Sequence, residues 1–194
     1  MVDQQLAKSF ESIGEEYDRY RPGFPDAAAD AILPERVNAV LDLGAGTGKF
    51  TELLVERADR VIAIEPSVAM LDVLRAKLPA IETRVAGAED IPLDRASVDA
   101  VTVAQAFHWF DRDPACAEIR RVLKPGGVLG LLWNHSDPSC AWDYACHRIA
   151  TPPSVRATRR RMPRLMNCPD SSSNTSTTSP GSRRSRVRRI SHAG

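Results

Sequence analysis

The stretch that decides the fold is Val40-Leu41-Asp42-Leu43-Gly44-Ala45-Gly46-Thr47-Gly48-Lys49-Phe50. It starts as an apolar run typical of a strand buried on both faces of a parallel sheet, and it ends where a helical pattern begins. Between the two lie three glycines at alternate positions, which let the backbone approach a ligand closely. The stretch therefore predicts an α/β fold with a ligand site at the carboxyl end of its first strand.

Spacing excludes two other nucleotide-binding motifs. A P-loop would need Gly at position 43 and Ser or Thr at position 50, where the chain has Leu43 and Phe50. A dinucleotide fingerprint that starts at Gly44 would need its third glycine at the position of Lys49. What remains is a turn whose N–H groups, together with the following helix terminus, can meet a carboxylate.

Glu65 ends the second predicted strand, 21 residues after Gly44. A carboxylate at that point can accept hydrogen bonds from both hydroxyls of a ribose. Each feature alone is a weak signal, because glycine-rich turns are common and an acidic residue after a strand more often faces water. Together they favour a nucleoside site.

Strands and helices alternate through the first three quarters of the chain. Apolar periodicity predicts strands at 37–43, 60–64, 83–86, 98–104 and 128–134, and helices at 6–20, 26–33, 50–58, 67–78 and 113–123. This pattern predicts a doubly wound parallel sheet, whose right-handed crossovers place ligands at the carboxyl ends of the strands.

Charge and composition change near residue 150. Residues 1–150 hold 16 Lys and Arg against 24 Asp and Glu, whereas residues 151–194 hold ten Arg against one Asp and no aromatic residue. The acidic part suits a cationic ligand. The later part cannot bury enough apolar surface to offset its chain entropy, so we expect a disordered basic tail over 151–194.

Targeting and metal signals are not found in the sequence. The first residues have no basic segment followed by an apolar stretch, and the longest apolar run, 127–133, is too short to span a bilayer, so we expect a cytoplasmic protein without a membrane partner. The four cysteines show no CxxC spacing, and we expect no metal site.

Residues 6–145 resemble the class I S-adenosylmethionine-dependent methyltransferases. Besides the glycine motif, the segments 87–93, 97–101 and 118–127 resemble that family's later motifs in order and spacing. The resemblance implies a Rossmann-like fold, S-adenosylmethionine as cofactor, and three regions: lid helices at 1–35, the cofactor-binding core at 36–147, and the tail at 151–194.

The resemblance also implies a role for individual residues. Beyond the loop residues Gly44, Ala45, Gly46 and Gly48, it assigns Glu65 to the ribose, Met70 to the adenine face, Ala88 and Glu89 to the adenine edge, and Ala104 to the methionine portion. Met70 could instead belong to the helix core, and Glu89 could simply solvate its loop.

Residues 17–22 and 104–111 resemble the subgroup that includes trans-aconitate methyltransferase-like enzymes. In that subgroup the N-terminal helix would be a lid, with Arg21 paired to the cofactor carboxylate and Tyr17 and Tyr20 closed over the site. His108 and Trp109 would lie beside the transferred methyl group, where His108 would orient an acid or deprotonate a hydroxyl. The alternatives are a surface arginine and a histidine packed on the lid.

The segment after the fourth strand favours a small-molecule acceptor. Methyltransferases that act on nucleic-acid amino groups typically show Asn or Asp, Pro-Pro and an aromatic there, and cytosine-C5 enzymes show Pro-Cys, whereas this chain has Ala104-Gln105-Ala106-Phe107. The basic tail could contact phosphates, but it offers no aromatic residue for stacking, so a nucleic-acid partner is not expected.

The end of the chain departs from the family pattern shortly after Trp142. Family members continue after the fifth strand with a helix and two more strands, and the composition of the last 44 residues argues against such strands. We expect a truncation or an out-of-frame ending, which would leave 128–133 as an uncovered edge strand. An alternative function follows: a non-catalytic remnant that binds S-adenosylmethionine or, through its tail, nucleic acid.

Overall fold

The computed structural model describes residues 14–135 and the backbone of two later segments, 172–177 and 184–191. The helices in these ranges are α1 (Gly14–Tyr20), α2 (Asp26–Ile32), α3 (Thr51–Leu54), α4 (Val68–Lys77) and α5 (Arg112–Val122), with one 3-10 turn at Phe107–Trp109. The strands are β1 (Val37–Leu43), β2 (Ala58–Ile64), β3 (Glu82–Arg84), β4 (Val98–Ala104), β5 (Leu123–His135), β6 (Ser172–Thr177) and β7 (Arg184–Ser191).

The described strands form one sheet in the order β3-β2-β1-β4-β5-β7-β6. Neighbouring strands from β3 through β5 are parallel, which confirms the predicted doubly wound α/β architecture. The chain builds β1, β2 and β3 toward one edge and then returns to place β4 on the other side of β1. The topological switch point therefore lies between β1 and β4, at the carboxyl end that carries the glycine loop.

Both faces of the central strands are covered, as an uninterrupted apolar strand requires. Val40 packs in a cluster with Ile32 of α2 and with Phe50. Its neighbour Leu41 points to the opposite face and packs in a cluster that includes Ile119 of α5. The predicted bounds of β1 and β4 are confirmed, because each is fixed by apolar residues on two faces at once.

The helix predicted at 50–58 is shorter in the structure. It ends at Leu54, and β2 begins at Ala58, which pairs with Val37 of β1. Ala58 therefore belongs to the sheet because it pairs with β1, although helical periodicity alone placed it in the helix. The strand predicted at 83–86 ends at Arg84 for a similar reason, because its partner Ile64 is the last residue of β2.

The fifth strand begins earlier than predicted. Leu123 pairs with Val98 and Val128 pairs with Ala100, so the segment between Leu123 and Val128 bulges out of the ladder instead of separating helix from strand. Gly126 accommodates this bulge with a φ of +78°.

The C-terminal segments differ from the expectation of a chain without its last two strands. β7 pairs antiparallel with the outer edge of β5, from Val128↔Ser191 to His135↔Arg184, and β6 pairs with β7. The edge predicted at 128–133 is therefore covered, and residues 172–177 and 184–191 are not disordered. The composition argument considered only apolar burial, whereas an edge strand offers backbone N–H and C=O groups that any extended segment can pair with. The rest of 151–194 lies outside the described residues.

Within the described ranges, no helix combines the length and the apolar character that crossing a bilayer would require.

Candidate functional site

The glycine loop joins β1 to α3 in a backbone path that favours glycine. Gly44, Gly46 and Gly48 have φ values of +71°, +56° and +83°. The N–H groups of Gly44 and Ala45 both donate to the carbonyl oxygen of Ile64, at 2.8 and 3.1 Å, and the N–H of Gly48 donates to the carbonyl of Ala45 at 3.0 Å. Several of the loop donors that the sequence assigned to a ligand carboxylate are therefore used to hold the loop against β2.

Two of the glycines are also required by close packing. A Cβ atom on Gly44 would lie 2.5 Å from the Cβ of Ala106, and one on Gly48 would lie 2.8 Å from Cγ of Leu74. The first contact brings the segment after β4 directly onto the loop, and the second packs α4 against it. A side chain at either position would push these elements apart.

Glu65 stands beside the loop with both carboxylate oxygens engaged. Oε2 accepts a hydrogen bond from the N–H of Gly46 at 3.0 Å, and Oε1 accepts one from the N–H of Ser67 at 3.0 Å. The residue is 9% exposed, and this burial raises the pKa of its carboxyl, while the two backbone N–H groups act in the opposite direction. The carboxylate of Glu65 is therefore fixed in place, and each oxygen keeps a lone pair. It can still accept hydrogen bonds from the hydroxyls of a ribose, as its predicted role requires.

Asp42 is a second acidic residue under the loop, and the sequence analysis gave it no role. It is 1% exposed and accepts hydrogen bonds from Thr51 Oγ1 at 2.7 Å and Thr102 Oγ1 at 2.9 Å. Burial raises the pKa of Asp42 to about 6; the two hydroxyls oppose the shift, and the charge of Glu65 adds to it. Asp42 thus ties β1 to α3 and β4 below the loop.

Met70 and Ala88 are both buried, with 6% and 3% of their surface exposed. The Sδ atom of Met70 lies 3.7 Å from the position that a Cβ on Gly46 would occupy. Ser67 caps α4, accepting a hydrogen bond from the N–H of Met70 at 3.4 Å. The thioether of Met70 therefore lies beside the glycine loop.

Glu89 is exposed and bonded within the protein. Its Oε1 accepts a hydrogen bond from the N–H of Asp111, the residue before α5, at 2.8 Å. This bond ties the loop at 87–91 to the segment after β4, so the predicted alternative of a merely solvated carboxylate does not describe it.

Glu118 and Arg121 fix the same loop from α5, a contact that sequence reasoning missed. Glu118 Oε2 accepts from the N–H of Ile91 at 2.8 Å, and Arg121 donates to the carbonyls of Ile91 and Leu93 at 2.7 and 2.6 Å. Both residues lie in the segment 118–127, which resembles a family motif. That resemblance gave no indication of their contact with the loop.

The segment after β4 turns sharply over the loop. Ala104 is half-buried at the end of the strand, and Gln105 has a φ of +60°, a conformation that non-glycine residues rarely adopt. Phe107 then packs edge-on against Phe110 and Trp133, with ring centroids 5.7 and 6.5 Å apart. Backbone strain of this kind is held by its surroundings and is common at functional sites.

His108 and Trp109 follow on the 3-10 turn, with ring centroids 4.9 Å apart. Although His108 is exposed, partial burial lowers its pKa, and the positive charge of Arg21 lowers it further. Both effects favour the neutral form of the imidazole.

Helix α1 contacts the glycine loop through Asp18, a residue that the sequence analysis did not select. Asp18 of α1 accepts from Thr47 Oγ1 at 2.7 Å and from Lys77 Nζ at 2.9 Å. Tyr20 is 76% exposed and does not close over the site, because two residues along a helix turn it roughly 200° from Asp18. The side chain of Tyr17 and residues 1–13 lie outside the described part of the chain.

The residues that can be described fit an adenosyl group with a methionine portion. A fixed carboxylate with free lone pairs, an adjacent thioether and a glycine backbone surface converge at the switch point. Among the described residues, no group of three or more His, Cys, Asp or Glu side chains could hold a metal ion.

Comparison with known proteins gives the same assignment. A family model described as a methyltransferase domain matches residues 41–131. An uncharacterized methyltransferase of Mycobacterium tuberculosis is 52% identical over 139 residues, which cover 72% of this chain and 57% of the relative. This chain thus spans a little over half the length of that curated relative.

Solved structures extend the similarity to the fold. A candidate type II methyltransferase from Anaeromyxobacter dehalogenans is 30% identical, with a TM-score of 0.59 over 82% of this chain and 70% of that one. A candidate S-adenosyl-L-methionine-dependent methyltransferase from Methanococcus maripaludis has a TM-score of 0.66 at 18% identity, over 99% of this chain and 94% of that one, and supports the fold alone. With the glycine loop and the buried carboxylate in place, these similarities show that the chain belongs to the class I S-adenosylmethionine-dependent methyltransferases.

Proposed function

We propose that this chain binds S-adenosylmethionine at the β1–β4 switch point and transfers its methyl group to a small-molecule carboxylate or hydroxyl. The observation that carries the proposal is the fixed carboxylate of Glu65, held by the N–H groups of Gly46 and Ser67 beside the glycine loop. The two hydroxyls of a nucleoside ribose need such a pair of acceptor oxygens.

The remaining cofactor contacts in the proposal follow the family resemblance. Met70, whose Sδ lies beside Gly46, would pack on the adenine face, and the buried Ala88 would lie at its edge. Ala104 would border the methionine portion at the end of β4, and Arg21 would pair with its carboxylate. Glu89 would act mainly through its hydrogen bond with Asp111. That bond would hold the loop at 87–91, which borders the adenine in this proposal, against the segment after β4.

The acceptor side of the proposal is supported by charge. His108 lies on the turn after β4, where its ring N–H would bind an anionic acceptor, and the positive charge of Arg21, which pairs with the cofactor carboxylate in this proposal, also acts there. Trp109 would provide an apolar wall beside His108. A carboxylate acceptor would be oriented by these groups and would need no base.

The bound cofactor supplies a methyl group on a cationic sulfur that leaves as a neutral thioether. The protein's task is then to align the acceptor with that methyl group and to exclude water, which can provide much of the acceleration. For a hydroxyl acceptor, a proton must also leave the oxygen. Because its lowered pKa keeps His108 neutral near pH 7, its free ring nitrogen can take that proton.

The test is formation of S-adenosylhomocysteine from S-adenosylmethionine by the full chain, with a panel of small carboxylic acids and alcohols and with an oligonucleotide as comparison. We expect turnover with at least one small molecule. His108→Gln should lower kcat by roughly 10²-fold or more with a hydroxyl acceptor and by much less with a carboxylate. Glu56→Gln, at an exposed position, is the matched control and should leave turnover unchanged.

Cofactor binding without turnover on any acceptor would refute the transfer step. It would leave the alternative, a protein that binds S-adenosylmethionine without catalysis, and retention of the oligonucleotide at physiological salt would favour the nucleic-acid reading of the basic tail.

A further inference from the structure

We infer that Asp18 is a positioning residue that locks the lid helix α1 onto the cofactor loop and thereby sets the place of Arg21 relative to His108. This inference rests on the proposed function, since it assigns a residue to the same site.

The contacts of Asp18 reach three different elements. Its Oδ1 accepts from the hydroxyl of Thr47 in the glycine loop at 2.7 Å and from Nζ of Lys77 at the end of α4 at 2.9 Å. Lys49 Nζ lies 3.5 Å away, and Lys77 also pairs with Glu52 of α3 at 2.7 Å. A single carboxylate thus joins α1 to the loop and to α4, and Lys77 extends the network to α3.

The burial of this cluster separates it from ordinary surface ion pairs. The side chain of Asp18 is 22% exposed, that of Lys77 is 26% exposed, and Thr47 is 2% exposed. Exposed pairs contribute little because water screens them, whereas a shared, half-buried network is screened less. Burial acts to raise the pKa of Asp18, but the bonds from Lys77 and Thr47 outweigh it and lower the pKa, so the carboxylate stays charged at neutral pH.

The position of Asp18 in the helix connects it to chemistry. Arg21 follows three residues later, directly after α1 ends, and its charge acts on His108. Helix α1 therefore contacts the glycine loop through Asp18, and it ends next to Arg21, whose charge acts on His108. If Asp18 no longer holds α1 against the loop, Arg21 should move away from His108.

The test is Asp18→Asn in the full chain, measured in two ways. Calorimetric titration with S-adenosylhomocysteine should show affinity about tenfold weaker than that of the parent. NMR titration of the His108 ring, assigned by comparison with His108→Gln, should show its pKa rising toward the ordinary value as Arg21 moves away. A purely structural role would lower the melting temperature without moving the histidine.

Two further variants keep the inference open to refutation. Lys77→Met should weaken cofactor affinity and raise the pKa of His108 by smaller amounts. In the double variant with Asp18→Asn, the loss of affinity should be no larger than the sum of the losses in the two single variants. Asp59→Asn removes an exposed pair with Arg36, 2.7 Å apart at the far end of β2, and should change neither readout. If Asp18→Asn folds and leaves both readouts unchanged, the inference is wrong. If the parent binds no cofactor, the proposed function fails, while the His108 titration still decides the role of Asp18.

Discussion

Replacing Glu65 by Gln tests the candidate ribose ligand with almost no change of shape. In the structure Oε2 and Oε1 accept from the N–H groups of Gly46 and Ser67, each at 3.0 Å. A glutamine has one oxygen and one NH₂ group, so whichever way the amide turns, the NH₂ faces one of these backbone donors. One charge-assisted bond is lost inside the protein, and one acceptor is lost toward the ligand.

The expected loss of affinity follows from these two bonds. A hydrogen bond to a charged group contributes about 1.5 to 3 kcal/mol, and the loss of one ligand bond with partial disturbance of the loop gives about 3 kcal/mol. Since about 1.4 kcal/mol is tenfold in binding, Glu65→Gln should weaken the affinity for S-adenosylhomocysteine on the order of 100-fold. The variant also loses a buried charge, so its stability should change less than its affinity.

The assay is isothermal titration calorimetry on the parent, on Glu65→Gln and on the control Glu56→Gln, with circular dichroism to show that all three are folded. Glu56 is exposed, and its substitution should leave binding unchanged. If folded Glu65→Gln binds as tightly as the parent, the carboxylate is not the ribose ligand, and the reasoning from its two backbone bonds is refuted.

Two further predictions concern the residues beneath and beside the loop. Gly44→Ala would place a Cβ 2.5 Å from that of Ala106, whereas Gly46→Ala meets only Met70 Sδ at 3.7 Å, so Gly44→Ala should lose more cofactor affinity in the same titration; an equal loss would contradict the packing argument. Asp42→Asn tests the buried carboxylate whose pKa is raised to about 6. Because the folded state keeps a proton that the unfolded chain releases nearer pH 4, the carboxylate costs stability as pH rises through this window. The unfolding free energy of the variant relative to the parent should therefore grow by about 2 kcal/mol from pH 4 to pH 7, and a difference that does not change with pH would refute it.

The central sheet could be predicted from sequence because its signals are local. Val37–Leu43 and Val98–Ala104 were predicted with their observed bounds, since an apolar run buried on two faces leaves little freedom in where it ends. The boundaries that moved, at Ala58 and Leu123, were set by pairing with a neighbouring strand, which no local pattern encodes.

The candidate site likewise contains residues that local sequence could predict and residues whose contacts depend on distant parts of the chain. The glycine loop and Glu65 were predicted because they follow consecutive strands of a parallel sheet, whose carboxyl ends meet at one edge. Asp18 was not predicted, because its partners Thr47 and Lys77 lie 29 and 59 residues away along the chain. The bond from Asp111 to Glu89 spans 22 residues and likewise gave no signal.

The strand at Arg184–Ser191 shows why composition misled at the end of the chain. Its many arginines argued against burial, but pairing with β5 uses backbone groups and does not require an apolar side chain at each position. Charged residues are in fact common on strands at or near sheet edges.

Binding of S-adenosylmethionine to the full chain is the most direct test of the account. Titration calorimetry of the parent protein should give one saturable site per chain, with competition by S-adenosylhomocysteine and no requirement for added metal. No heat of binding from a chain shown to be folded, at cofactor concentrations up to the millimolar range, would contradict the assignment of the Gly44–Gly48 loop and Glu65 as a cofactor site.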